Sequence, residues 1–312
     1  QTYGPIELVG VDDGSTDGTT EFVKSIFPKE EKLKIISLKE NCGAAQAKNI
    51  GAKACHGQYL LFLDSDTRIK PGWFEQTLIF FQNNPGAGLA QAKLLKMGTD
   101  LFDYAGDLIG PFGFLIERAR SAKDQGQFDE VEPIFGLKTA GALMRKDVFD
   151  ELGGFDSDYR IFWEDTDLAW RTRLRGFQIL FCPAVTVWHA YGTPEKTEKH
   201  YLERQKAYQI TYFGCRNMIC SLVKNLELKS LVIILPINIS CWIILAGLFL
   251  LKLNAKKSLE IFRGLAWNLF FLKRTLGKRK RIQASRKVSD QEIFSLVGAK
   301  KNPGYYLGKA LA

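Results

Sequence analysis

Four apolar residues, Leu60-Leu61-Phe62-Leu63, run straight into Asp64-Ser65-Asp66. The apolar run reads as a buried strand, bounded by carboxylates rather than tapering into a loop. Side chains at i and i+2 of an extended strand share a face. Asp64 and Asp66 are therefore expected to turn the same way at the strand's C-terminal end, where open α/β sheets place their ligands. Paired carboxylates there suit a hard divalent cation that also takes oxygens from a diphosphate. The same residues also read as a turn with two solvated aspartates.

The flanking sequence alternates strand and helix. Residues 6–11 form an expected buried strand ending at Asp12-Asp13-Gly14-Ser15. A helix follows, capped by Ser15 or Asp17 and carrying Phe22, Val23 and Ile26 on its apolar face. A strand at 33–38, a small-residue helix at 44–54, and the strand at 59–63 come next. Then follow a helix at 73–82, a strand at 87–95, a helix at 147–152 ended by Gly153-Gly154, a charged helix at 164–175 and a strand at 178–187. This βαβ spacing predicts an α/β fold with a mostly parallel sheet covered by helices on both faces. Residues 98–135, rich in Gly and Phe without a clean period, read as a surface excursion. Three divisions are expected: an α/β domain over 1–220, hydrophobic and basic helices over 221–287, and a tail over 288–312.

Charge is unevenly placed. The chain carries +9 overall, yet residues 252–312 hold fifteen Lys/Arg and three Asp/Glu, which leaves residues 1–251 at −3. Basicity confined to the tail argues against nucleic acid as a partner of the main domain. The six cysteines make no C-x-x-C pair and read as core residues of a reducing compartment. Gln1 opens almost directly onto a strand, with no initiator Met or signal peptide, so a chain lacking its true first strand is expected.

Four segments carry chemistry. Val11-Asp12-Asp13-Gly14-Ser15-Thr16-Asp17-Gly18-Thr19 sets a carboxylate pair before a glycine turn. Either carboxylate could accept a hydrogen bond from a pyrimidine imide or a ribose hydroxyl, or merely cap a helix. In Asn41-Cys42-Gly43 and Ala47-Lys48-Asn49-Ile50-Gly51, small residues allow close backbone approach and Lys48 could meet phosphate. Phe62-Leu63-Asp64-Ser65-Asp66 is the third. In the fourth, Gly153-Gly154-Phe155-Asp156 precedes Trp163-Glu164-Asp165-Thr166-Asp167-Leu168-Ala169-Trp170-Arg171. Acids crowding a first helical turn suit the dipole, and one raised by its neighbours suits proton abstraction near neutral pH. No Ser/His/Asp or Cys/His set is evident.

Over about residues 5–220 these segments, in this order, resemble the family-2 inverting glycosyltransferases of GT-A fold. The resemblance implies that Asp12 or Asp13 holds the nucleotide base. It assigns Asp64, Ser65 and Asp66 to ribose and metal–diphosphate, with Asp66 the direct ligand. Asp165, beside Glu164, would deprotonate the acceptor hydroxyl. His189 could complete a Mg2+ or Mn2+ site or be structural, while His56 and His200 read as surface residues. Lys48 stands where many relatives carry Arg and loses bidentate geometry. Arg216, in Tyr212-Phe213-Gly214-Cys215-Arg216-Asn217, could contact the donor diphosphate or anchor its helix. The implied donor is a nucleotide sugar and the acceptor a lipid-linked or cell-envelope saccharide, with the rhamnosyltransferase-like branch most similar. Transfer to a polyprenyl phosphate, a catalytically idle GT-A scaffold, and a sugar nucleotidyltransferase are the alternatives; no glycine-rich phosphate loop supports the last.

Residues 231–251 form 21 uncharged residues, long enough to cross a bilayer but interrupted by Pro236, Asn238 and Ser240. Between Lys252 and Lys287 stand twelve Lys/Arg and one acid, Glu260. A simple crossing would put this basic stretch opposite a catalytic domain that must meet its donor in the cytoplasm, against the positive-inside tendency. A re-entrant or interfacial arrangement is therefore expected, with the tail cytoplasmic and residues 279–281 facing anionic lipid.

Overall fold

The computed structural model describes residues 6–27, 32–190 and 196–299, with the side chains of 196–206 not described. The expected tail beyond residue 299 and the His200 side chain therefore lie outside the described residues.

β1 (Leu8–Asp12) leads through α1 (Thr19–Ile26) to β2 (Leu33–Ser37), and the two strands pair in parallel. Gly18, not Ser15 or Asp17, stands at the N-cap of α1, with φ 82° and no side-chain cap. Asp17 sits one residue earlier and accepts hydrogen bonds from both the N–H and hydroxyl of Thr19. α2 (Ala44–Ala54), β3 (Tyr59–Phe62), β4 (Thr67–Ile69), α3 (Trp73–Asn83) and β5 (Ala87–Lys96) follow.

β3 ends at Phe62, so Asp64 and Asp66 do not share a strand face. They lie in the turn into β4, closed by the N–H and hydroxyl of Thr67 donating to the Asp64 carbonyl. The turn, rather than strand pleat, sets the spacing of the two carboxylates.

The stretch expected at the surface is instead partly core. β6 (Phe102–Tyr104) pairs with β5, β7 (Asp107–Ile109) and β8 (Leu115–Glu117) form a hairpin, and β9 (Glu132–Pro133) pairs with β11. Phe102, Asp103, Tyr104, Ile109, Ile134 and Phe135 are fully buried. Strands of two or three residues are too short to display a period, which is why this packing left no pattern in the sequence.

β10 (Ala142–Arg145), α4 (Lys146–Leu152), α5 (Glu164–Leu174) and β11 (Gln178–His189) complete the main sheet. Its order is β3-β10-β5-β11-β4. β5 and β11 pair in parallel, while β10 and β4 run antiparallel to their neighbours. The sheet is thus mixed where a mostly parallel one was expected. Between Cys182 and Thr186, β11 bulges against β5, and its last residues then run alongside β4 with His189 opposite Thr67.

Five helices follow: α6 (Lys196–Asn225), α7 (Leu228–Leu251), α8 (Ala255–Phe270), α9 (Leu272–Ala284) and α10 (Asp290–Val297). α6 runs unbroken through residue 220, where a domain division was expected, and α8 and α9 both pack along it. Pro236 lies inside α7 without ending it, and Asn238 is fully buried, donating to the Phe112 carbonyl. α7 is long and apolar enough to cross a membrane by length and composition. The chain nevertheless returns. Lys278 of α9 pairs with Asp156 and Asp158, and the Ala299 N–H donates to Ile109 of β7.

Candidate active site

Asp64, Asp66 and His189 converge from the β3–β4 turn and the end of β11, their ligand atoms all within 4.8 Å of one another. His189 Nε2 lies 3.2 Å from Asp66 Oδ1. On its other side, His189 Nδ1 is 2.9 Å from Asp103 Oδ2. Asp103 is fully buried, and its carboxylate fixes the ring so that Nδ1 carries the proton and Nε2 turns to the aspartates. The hydrogen bond to Asp103 holds the imidazole above its ordinary pKa, despite partial burial, with Asp66 and Asp64 adding to the effect.

This donor set fits a divalent cation. Two carboxylates from one turn and an imidazole oriented by a buried carboxylate reproduce the first and second layers of a metal site. Imidazole favours Mn2+ over Mg2+. Asp103 is the residue that sequence reasoning missed. A lone acid between Phe102 and Tyr104 was its only signal. Asp103→Asn is expected to weaken Mn2+ binding about 10- to 100-fold without loss of helix content. Paramagnetic titration would show it, and unchanged affinity would remove Asp103 from the site.

The second group lies at the start of α5. Trp163, at the N-cap, has φ 70°, and Arg160 and Phe162 before it also have positive φ. Such a run is costly unless neighbours fix it. Asn217 does so, its amide donating to the carbonyls of Tyr159, Ile161 and Phe162. Gly43 supports the other side: its φ is 89°, and a Cβ there would lie 2.7 Å from the Arg160 carbonyl oxygen. The Asn49 side chain clamps Phe155 through both its N–H and its carbonyl.

The three acids of the α5 first turn have separate surroundings. Glu164 is 5% exposed and pairs with Lys48 at 3.0 Å. Asp167 is fully buried and pairs with Arg171 and Lys224, so it is structural. Asp165 accepts from the Thr166 N–H. Burial and the neighbouring Glu164 charge raise its pKa to about 7, although Lys48 opposes them. Lys48 also donates to Thr139 Oγ1 at 2.5 Å. Burial disfavours its charge, yet Glu164, Asp64 and Asp165 hold its pKa above the ordinary value. Lys48 thus stands electrostatically between the Asp64 turn and Asp165.

The remaining candidates are not drawn into this cluster. Asp12 accepts from the Ser15 N–H and the Thr20 hydroxyl, and the side chains of Ser15 and Thr20 lower its pKa. Asp13 accepts from the N–H groups of Cys42 and Gly43, tying the first motif to the second. Ser65 is exposed in the turn. Arg216 donates to the Asp158 carbonyl and lies over Trp267, 4.2 Å from its ring centroid. That contact anchors α6 and α8 to the loop before α5.

Residues 1–153 match the model of glycosyl transferase family 2. The chain carries a family 2 glycosyltransferase domain. Relatives agree with this assignment. An uncharacterized glycosyltransferase of Haemophilus influenzae is 40% identical over 84 residues, covering 27% of this chain and 34% of that protein. The poly-β-1,6-N-acetyl-D-glucosamine synthase of Staphylococcus epidermidis is 27% identical over 193 residues, covering 60% and 43%. The matches span only 25–43% of the length of these curated relatives. The structure of S. aureus TarS 1-349 in complex with UDP-GlcNAc is 16% identical, with a TM-score of 0.56 and coverage of 91% and 81%. That likeness concerns the fold, and it gives the family 2 domain its GT-A architecture.

Proposed function

We propose that this glycosyltransferase moves a sugar, with inversion, from a nucleoside-diphosphate donor to a hydroxyl of a lipid-linked or cell-envelope saccharide. One observation carries the reading: the Asp64–Asp66–His189 cluster, backed by Asp103, is linked through Lys48 to the buried Glu164 and the half-buried Asp165. The acceptor oxygen attacks the anomeric carbon as the bond to the diphosphate breaks, and Asp165 takes the hydroxyl proton. A pKa near 7 suits that transfer. Lys48, paired with Glu164, keeps a positive charge beside the Asp64 turn, where negative charge grows on the leaving group. Asp64, Asp66 and His189 would hold Mn2+ or Mg2+, which supplies Lewis-acid neutralisation of the diphosphate when bound. Asp13 and Asp12, on the loop tied to Gly43, are assigned to the nucleoside.

The names of the relatives make UDP-GlcNAc the first donor to test. Thermal stabilisation of detergent-solubilised protein by UDP, GDP and dTDP, each with and without Mn2+, checks the donor site. A Mn2+-dependent shift with one nucleotide supports the reading and names the base. No shift with any of them would leave an idle scaffold.

The same chain is proposed to work on a membrane surface. α7 and α8 expose Val232, Ile233, Leu251, Leu269 and Phe270, the last two at 76% and 84%. Lys252, Lys256, Lys257 and Lys273 flank this apolar belt. Because α9 and α10 pack back on the α/β domain, an interfacial seat, with the catalytic domain and the basic tail on one cytoplasmic side, accounts for both features. Leu269→Glu with Phe270→Glu is expected to lower partition onto neutral vesicles about a hundredfold; undiminished flotation would refute the seat.

A further inference from the structure

A cavity of about 530 Å³ opens between the α6–α7 corner and α9, lined by Leu228, Leu276, Arg279, Lys280, Gln283 and Arg286, with Glu227 at its side. Nothing in the proposed transfer uses it. Its polar end is cationic. Arg279 donates to the carbonyls of Val223 and Leu226, so it caps α6, with no carboxylate in hydrogen-bond contact among the described residues. The Arg286 side chain is 9% exposed; it pairs with Asp290, and its Nε is buried with no hydrogen-bond partner among the described residues. Lys280 is exposed at the rim. Glu227 lies 3.9 Å from Arg286, and its other carboxylate oxygen accepts from the Asp290 N–H. Arg279, Lys280 and Arg286 thus face two acids, Glu227 and Asp290, and cationic charge is left over.

The other end is apolar. Leu228 is 68% exposed and Leu276 46%. On α9, Leu272, Leu276 and Lys280 fall at i, i+4 and i+8, one helix face that passes from apolar to cationic within about 12 Å. The exposed Leu269 and Phe270, at the end of α8, immediately precede this helix in the chain. A ligand matching this order has a phosphate at one end and hydrocarbon at the other.

We propose that this cavity binds the phosphate headgroup of an anionic phospholipid, its acyl chains running over Leu276 and Leu272 towards the apolar belt. The proposal rests on the membrane seat described above and gives it a specific lipid partner. Its charge complementarity is local to the cavity, unlike the general attraction of a basic tail to an anionic surface.

The test uses monomeric short-chain phosphatidylglycerol, which has no membrane surface potential, added to the full chain in neutral detergent. A saturable rise in Tm is expected, larger than with short-chain phosphatidylcholine or inorganic phosphate. Lys280→Glu is expected to weaken this binding about tenfold or more, whereas Arg281→Glu, an exposed charge outside the cavity, leaves it unchanged. The proposal is overturned by no saturable shift, by equal shifts with phosphatidylcholine, or by equal weakening in the two variants. An equal shift with inorganic phosphate would make the cavity a free-anion site and overturn the lipid. Flotation of Lys280→Glu on neutral vesicles keeps the failure of this site distinct from failure of the membrane seat.

Discussion

Asp165→Asn is expected to lower kcat about a thousandfold while leaving nucleotide binding intact. The amide keeps the hydrogen bond from Thr166 and the shape of the α5 first turn, but it cannot accept the acceptor's proton. The wild-type rate should climb with pH up to a plateau above about 7, since burial and Glu164 raise the Asp165 pKa to about 7. That limb should vanish in the variant. Stability moves in the opposite sense. A carboxyl with a folded-state pKa above its unfolded value binds its proton more tightly in the native state. It therefore favours folding below the unfolded pKa, and the contribution is lost as pH rises through about 7. Asp165→Asn should accordingly raise Tm relative to wild type at pH 8 and change it little at pH 4. A variant that keeps the wild-type pH–rate limb would exclude Asp165 as the base.

Asp66→Ala should abolish the Mn2+-dependent part of nucleotide stabilisation and lower kcat/KM about a thousandfold or more. Asp66 reaches His189 and shares a turn with Asp64, so its loss removes one of the two carboxylates of the cluster. The loss should exceed that of Asp103→Asn, which leaves all three ligands in place and disturbs only the orientation of one. Equal nucleotide stabilisation of wild type and Asp66→Ala, with Mn2+ present in both, would sink the metal assignment. The position of Asp66 in an exposed turn makes collapse of the fold a poor explanation for any loss.

Much of the fold was legible because its long elements carry period and punctuation. The helix from Ala44 to Ala54, the strand entering Asp64 and the acid-rich helix start at Glu164 stand where sequence put them. The carboxylate pair at Asp64 and Asp66 was legible through residue type and spacing, although a turn and not a strand face brings the two together. Asp103 was not legible, because β6 is three residues long and its burial comes from pairing with β5. Arg216 could be read for a donor or for an anchor, and its contacts with Trp267 and the Asp158 carbonyl favour the anchor. The direction of the tail was half legible: charge counting disfavoured a simple crossing, but the ion pairs that return α9 to Asp156 and Asp158 join residues more than a hundred positions apart.

The loop before α5 has a consequence for how such proteins can diverge. Its backbone is held by Asn217 and Arg216 from one helix, and its acids by Lys224 of that helix and by Lys278 and Arg274 from another. The helices after the sheet are therefore part of the frame around the α5 acids and not a detachable anchor. Exchange of tails between related enzymes should succeed only when residues 156–163 travel with the helices that grip them. Recombination points inside 156–278 would produce chimaeras that fold in pieces and turn over poorly, so the two regions are bound to change as one inherited unit.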